Sequence, residues 1–395
     1  MFTRAKSLIQ NHWKKVVYGG IAIQVAAYGL RYATNKVLQY HEDQTKEVWL
    51  KMKKREHFER TNENSVTTFI SLLPTLKETI AKSLNVEILT TALKEKAANK
   101  LEIWEEMKCI AFSRILASVY GTTLLNILLR IQLSVIGGYM IQDSLVEPAE
   151  RSGNSSQPRN GNVNGNTGVD AELQHDYLAV AHYFVKEGMQ RMCAYIYQKT
   201  KAVVGPISLK RRLTIQELEQ ILWHIIDLIR SDETVERQQG SSRSSPLGNY
   251  WKYIFPPDVS KRYDHFMHTS DPAQIPEEAE DMKKQIMCET FDLLQSSDAS
   301  SLITSFETHG VSHFLDRLVD IIAESHVPQQ ATNGPVESNT SLNDSALGDS
   351  APPSPSASTS TVANPFIIAS IHAETLRVFA ANIYESFSSP ISVPL

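Results

Sequence analysis

From Asn99 to Ile141 the chain is apolar at helical spacing with hardly a break, and this run constrains the fold more than any other stretch. As one helix it covers about 40 residues and roughly 60 Å. Its opening, Asn99-Lys-Leu-Glu-Ile-Trp-Glu-Glu-Met-Lys-Cys-Ile-Ala-Phe112, places Asn99 to cap and Glu102 three residues on to reach back. Leu101, Trp104, Lys108 and Phe112 follow at helical spacing, with Ile103, Met107 and Ile110 beside them. The middle, Ile115 to Leu129, carries no charge and raises the question of a membrane span. Arg114, Asn126, Arg130 and Gln132 interrupt the stretch at intervals that do not suit a lipid-facing helix. A helix apolar nearly all round is equally the central helix of a large bundle, and that is the expectation here.

Helical patterns dominate the rest of the chain. A charged helix is expected over 39–60, and a second over 65–84 that Pro74 bends or restarts. A short segment follows at 86–96. Helical spacing resumes at 173–204, where Gly205-Pro206 stops it, and after a capping box at Thr214-Ile-Gln-Glu217. Tyr250 to Pro257 reads as an irregular aromatic piece. Further helices are expected at 276–296, 300–325 and 366–387. Polar, low-complexity inserts separate them at 146–172, 231–248 and 327–365, where the composition offers nothing to bury. No long alternating segment and no internal repeat is present. The expected architecture is all-α: an elongated bundle of about six or seven helices with a long central helix, preceded by an N-terminal membrane anchor.

The N-terminus stands apart in charge. Of the net −5, residues 1–41 contribute +6 without one acid, which leaves −11 for the remainder. Arg4, Lys6, Lys14 and Lys15 form a basic cluster ahead of the uncharged run Val16 to Leu30, which includes Val17, Tyr18, Ile21, Ile23 and Val25. That run is shorter than the ~20 residues a spanning helix needs. Three readings fit it: a membrane anchor, a cleaved signal or transit peptide, and a buried core helix. The basic residues ahead of the run predict, by the usual charge bias, a cytosolic N-terminus.

The acidic remainder does not suit a nucleic-acid surface, which needs a basic face. Cys109, Cys193 and Cys288 are odd in number, far apart and without a CxxC, which points to reduced thiols in place of a disulfide framework or zinc site. No phosphate loop, HExxH or nucleophile elbow occurs. Gly137-Gly138 follows a helix, so a close helix contact or a helix end explains it better than dinucleotide binding. His265 with His268, and His309 with His313 and Asp316, read as ordinary histidines. Glu105-Glu106 and Glu277-Glu278 read as solvated carboxylates. No catalytic residue, metal, cofactor or small-molecule substrate is expected.

What remains is recognition. Lys94, Lys96 and Lys100 surround the apolar group Leu93, Ala97, Leu101 and Trp104. A partner helix with an apolar stripe and acidic flanks fits such a surface. On spacing alone Trp104 reads first as a core residue and second as a rim residue that receives something.

Several short segments in order resemble the peroxisomal biogenesis factor 3 (peroxin-3) family: Leu-Leu-Pro-Thr-Leu at 72–76, Ala-Leu-Lys at 92–94 and Asn-Lys-Leu-Glu-Ile-Trp-Glu at 99–105. Leu-Leu-Arg-Ile-Gln-Leu at 128–133, Ile-Gly-Gly-Tyr at 136–139 and Phe-Ala-Ala-Asn-Ile-Tyr-Glu-Ser-Phe at 379–387 continue the series. The resemblance is dense over 66–142, sparse over 170–325 and dense again after 374. It implies a docking factor in the peroxisomal membrane, with its N-terminus lumenal and a helical domain, 36–395, in the cytosol. Residues 1–35 would then target and anchor the chain in lipid. It further implies a groove around Trp104 for an amphipathic helix of the cytosolic receptor peroxin-19, with Leu93, Lys94 and Lys100 matching the family motif. Glu95-Lys-Ala-Ala98 departs from that motif. Without the resemblance, the same residues suit another organelle-anchored helical scaffold or tether, for instance at the mitochondrial outer membrane.

Overall fold

A computed structural model describes residues 2–95, 99–150, 171–236, 250–257, 278–326 and 364–388, with the backbone alone for 2–27 and for a few residues at element ends. Eleven α-helical segments occur among these residues, and no strand. They are α1 (Phe2–Ser83), α2 (Val86–Lys94), α3 (Lys100–Glu150), α4 (Ala171–Tyr183), α5 (Met189–Val204), α6 (Ile215–Glu236), α7 (Trp251–Ile254), α8 (Glu278–Leu294), α9 (Ser297–His326), α10 (Pro365–Ile371) and α11 (Glu374–Ser388). A π-helical turn, Phe184–Gly188, joins α4 to α5, so the expected helix over 173–204 is one rod with a local bulge. Counting that rod once and setting aside the short α2, α7 and α10 leaves seven principal helices. The chain divides into two compact units, Met1–Glu59 and Arg60–Leu395.

In the first unit the helical backbone starts at Phe2. The basic cluster Arg4, Lys6, Lys14, Lys15 and the anchor side chains Val16, Val17, Tyr18, Ile21, Ile23 and Val25 lie outside the described residues, while Leu30 is exposed. Tyr28, Tyr32, Val37, Leu38, Tyr40 and Trp49 are exposed as well. Lys46 pairs with Glu42 at 3.0 Å and Lys51 with Glu47 at 2.7 Å, each one helical turn apart.

The second unit is built around α3. Leu116, Ala117, Tyr120, Leu124, Leu125, Ile127, Leu128, Ile131 and Val135 are completely buried on one half of the helix, and Val119, Thr123, Asn126, Leu129 and Arg130 are buried on the other. Of the two stretches among the described residues that are apolar and long enough to cross a membrane, Lys100–Gln142 and Pro365–Ser388, the first is therefore the core helix of the body. The Arg60–Ser83 part of α1 runs antiparallel to α3, with Leu76 near Gly121 and Thr61 near Gly137. The polar residues that punctuate α3 each hold a neighbour. Asn126 donates to the Ser370 carbonyl at 3.0 Å, and Arg130, one turn on, donates to the Ile371 carbonyl at 3.2 Å and to Asn62. Together they satisfy carbonyls left open at the end of α10. Burial, and then the nearby Arg377, lower the Arg130 guanidinium to about 10. Gln132 donates to the Tyr177 carbonyl at 2.5 Å.

Gly137-Gly138 marks a close helix contact, as expected. A Cβ on Gly138 would lie 2.5 Å from the Phe387 Cβ on α11, so the two helices approach to a distance that only glycine allows. The ring pair Tyr139 and Phe387, with centroids 5.5 Å apart, closes the same crossing.

Several boundaries differ from the expectation. Helix α1 continues through Pro74, because Leu72, Leu73, Leu76 and Ile80 around it are buried and their packing outweighs the lost backbone donor. Helix α9 continues through Gly310, where the missing side chain admits Val119 of α3: a Cβ there would lie 2.7 Å from Val119 Cγ1. The aromatic piece is a turn of helix with Tyr250, Ile254 and Phe255 buried. The last helix is two, broken at His372-Ala373 where α3 caps α10. Helices α3 and α6 run to Glu150 and Glu236, past the expected insert starts; residues 151–170, 237–249 and 327–363 lie outside the described residues.

Candidate docking surface

The first turns of α3 depart from the rest of it. Leu101 is 69% exposed and Trp104 52% exposed, so Trp104 is not the core residue that its spacing alone suggests. Its side of the helix, followed at 3.6 residues per turn, continues through Ala111, Ile115, Ser118 and Thr122. Ala111 and Ser118 are exposed.

Helix α2 flanks this face. Asn85 caps it by accepting from the Ile88 N–H at 3.2 Å. No residue of α2 is buried: Val86 and Leu89 pack half-buried on the core, Ile88 is 65% exposed, Leu93 is half-buried and Lys94 is exposed. Arg114 of α3 reaches Glu87 at 3.4 Å and ties the two helices together. Lys100 is exposed, and neither it nor Lys94 meets a carboxylate among the described residues. Leu93, Lys94, Lys100 and Trp104 thus fall on adjoining turns of two connected helices. Lys96 and Ala97, between those helices, lie outside the described residues. Asn99 and Glu102 meet through their side chains at 3.0 Å, and the Asn99 carbonyl accepts the first helical bond from Ile103 at 3.2 Å.

The same turns are fastened to the body, through Glu106 on the side away from Trp104 and through Lys108 on its near side. Glu106 accepts from the Tyr197 hydroxyl and faces Lys201 at 3.4 Å, while Lys108 pairs with Glu105 and donates to the Ile207 carbonyl. Neither Glu105 nor Glu106 is a free solvated carboxylate. These bonds hold the start of α3 against α5 and against the loop that leads to α6, so an exposed tryptophan stands on a rigid base. The expected capping box forms: the Thr214 N–H reaches Glu217 at 2.8 Å and the Glu217 N–H reaches the Thr214 hydroxyl at 3.2 Å.

Farther along the same face of α3 lies a cleft of about 920 Å³. Its floor is Leu76, Ile80, Ile115 and Val119, its walls are α1, α9 and the start of α10, and Lys77, Arg114 and Arg317 stand at its edge beside Asp316 and Asp320. His313 lines it too. His309, one turn away, donates from Nδ1 to the Ser305 carbonyl at 2.7 Å. Among the described residues no three His, Cys, Asp or Glu side chains gather as a metal site; His265 and His268 lie outside them.

Comparison with known proteins decides the family. The model of the Peroxin-3 family matches residues 7–101 and 94–386, nearly the whole chain. This chain belongs to the peroxin-3 family. The family is one of biogenesis factors and not of enzymes, and membership supports a role in peroxisome biogenesis. Peroxisomal biogenesis factor 3 of Bos taurus is 28% identical over 402 residues, covering 99% of each chain. The Homo sapiens protein of the same description is 28% identical over 401 residues, covering 97% of each. A peroxisomal membrane protein of Komagataella phaffii is 22% identical over 269 residues, which covers 56% of this chain and 58% of that one. Sequence reading alone did not bring the cleft or the loop after α5 into this peroxin-3 surface. The cleft is assembled from residues far apart in the chain, and the loop, though contiguous, meets α3 only through the fold, by the bond of Lys108 to the Ile207 carbonyl.

Proposed function

We propose that this chain is a docking factor of the peroxisomal membrane that receives the cytosolic receptor peroxin-19 and so enables insertion of peroxisomal membrane proteins. An amphipathic helix of the receptor lies on the face that starts at Trp104, with its apolar stripe against Trp104, Leu101 and Leu93 and its acidic flanks against Lys94 and Lys100. The partner helix extends along α3 toward the cleft at Ile115. From Trp104 to Thr122 is about 27 Å, the length of a helix of some five turns. The observation that carries this reading is a half-exposed tryptophan near the start of a helix whose middle is buried. A large ring left in water on a fixed base costs solvation that a partner recovers, and aromatic anchors of this kind dominate binding energy.

Residues 1–35 serve as targeting signal and anchor, with the N-terminus in the lumen and the helical body in the cytosol. Within the body, α1 enters at Arg60 beside Gly137, about 50 Å along α3 from Trp104.

The test is calorimetric titration of the full-length protein in nanodiscs with an N-terminal amphipathic peptide of the same organism's peroxin-19. Wild type is expected to bind with sub-micromolar affinity. Trp104→Ala is expected to lose about 2–4 kcal/mol, or roughly 30- to 1000-fold, with an unchanged circular dichroism spectrum. Absence of binding by folded wild type would break the reading and favour a general organelle tether.

A further inference from the structure

The end of α5 and the loop between α5 and α6 concentrate positive charge within residues 42–395, which carry a net −11. From Lys199 to Leu213 there are five cations, Lys199, Lys201, Lys210, Arg211 and Arg212, and no acid. Lys201 faces Glu106 and Arg211 pairs with Glu217 at 2.7 Å. Lys210 and Arg212 are exposed and meet no carboxylate among the described residues. Leu209, Leu213 and Ile215 beside them are exposed as well. The loop is not remote from the docking surface: Lys108, which donates to the Ile207 carbonyl, is one helical turn after Trp104 and on its side of α3. Helix α2 with Lys94 flanks the tryptophan on one side, and this loop flanks it on the other.

We infer that the loop is a second contact of the docking surface, which takes an acidic segment of the partner next to the helix held by Trp104. The inference rests on the docking reading above. Unpaired cations repel one another and gain most from an acidic partner, and the adjoining leucines and isoleucine offer apolar contact to the same segment. Cations of this exposure act through the field they project, so they speed encounter and leave the grip of the docked helix to the aromatic anchor. An anionic membrane would also suit basic residues beside leucines, but shared footing with the Trp104 turn favours the docked protein.

The experiment is stopped-flow association of full-length peroxin-19 with the full-length chain in nanodiscs of neutral lipid, comparing wild type, the Lys210→Glu/Arg212→Glu double variant and Trp104→Ala. The double variant is expected to associate about 5- to 10-fold more slowly at low salt, to approach wild type at high salt, and to dissociate at the wild-type rate. Equal association rates at low salt, with Trp104→Ala still defective, would overturn the inference and leave the docking reading intact. Failure of the wild type to bind would overturn both. Loss of co-sedimentation with phosphatidylserine vesicles, without a change in receptor association, would assign the loop to a membrane surface instead.

Discussion

The two ends of α3 are one continuous helix with opposite relations to water. From Val119 to Val135 even the polar residues are buried, and Asn126, Arg130 and Gln132 bond to α10, α1 and α4. From Lys100 to Lys108 the apolar residues Leu101 and Trp104 stand in solvent, while Glu106 and Lys108 bond the helix to the body. At one end apolar burial and polar bonds both attach the helix, and over the first turns at the other end side-chain polar bonds do so while the largest apolar residues face water. Burial is therefore spent on stability in one part and withheld in the other for recognition. The contrast predicts that substitutions in the two regions fail in different ways.

The largest effect belongs to the buried end. Leu128 is completely buried, and Leu128→Ala should lower stability by about 2–5 kcal/mol through lost transfer energy and a cavity. Denaturant unfolding of the full-length chain measures this, and the folded fraction should keep its affinity for the receptor peptide. A loss below about 1 kcal/mol would mean that the core around α3 collapses to fill the gap. At the exposed end the expectation is reversed. Trp104→Ala should change stability by less than about 1 kcal/mol while it removes most of the binding energy. A protein that unfolds on this change would place Trp104 among the groups that stabilise the body.

Next in size is the close crossing of α3 and α11. Gly138→Ala places a methyl 2.5 Å from the Phe387 Cβ, and neither helix backbone can yield without moving the Tyr139–Phe387 ring pair. A loss of about 1–3 kcal/mol is expected from this overpacking, read as a lower unfolding midpoint with unchanged receptor affinity. Retained stability would show that α11 slides along α3 and that the buried end of the helix is less fixed than its contacts suggest.

How much of this was legible beforehand follows the same division. The all-α class, the central helix and the Gly137-Gly138 contact rest on periodicity and local chemistry, which one sequence displays in full. Trp104 was misread by spacing alone, because a helical stripe shows which residues share a side but not whether anything packs there. The family resemblance supplied that missing information. Pro74 was expected to bend or restart a helix, yet packing around it holds the helix continuous, and such tertiary support has no local signature. The cleft joins residues near 76, 115, 314 and 366, and no pattern along the chain announces that convergence.

Titration sharpens the comparison further. Burial pushes the Glu307 carboxyl above the usual carboxylate range, although Arg230 pairs with it. Its folded value exceeds its unfolded one, so the folded chain holds the proton more tightly. Stability therefore falls as pH rises from the ordinary carboxylate value through the folded one. Glu307→Gln should flatten that part of the stability–pH curve, and an unaltered slope would remove Glu307 as its source. Glu87, at the exposed end, behaves with the opposite sign. Its own backbone N–H, and then Arg114, hold its carboxyl below the usual range, so its contribution is present above the unfolded value and lost as pH falls through the folded one. Glu87→Gln should leave the slope near neutrality unchanged.

The smallest expected effect comes from Lys94 and Lys100. Both are exposed, so their fields are screened within about 8–10 Å at ordinary ionic strength. They cannot supply the binding energy of a desolvated aromatic anchor. They can orient an acidic-flanked helix before contact, which is a kinetic role. Lys94→Glu or Lys100→Glu should therefore slow association with the receptor peptide severalfold at low salt, an effect that high salt removes, and should leave dissociation and unfolding almost unchanged. If either change instead accelerates dissociation as strongly as Trp104→Ala does, the lysine is desolvated in the complex. The exposed end of α3 would then become, on binding, as buried as the other end already is.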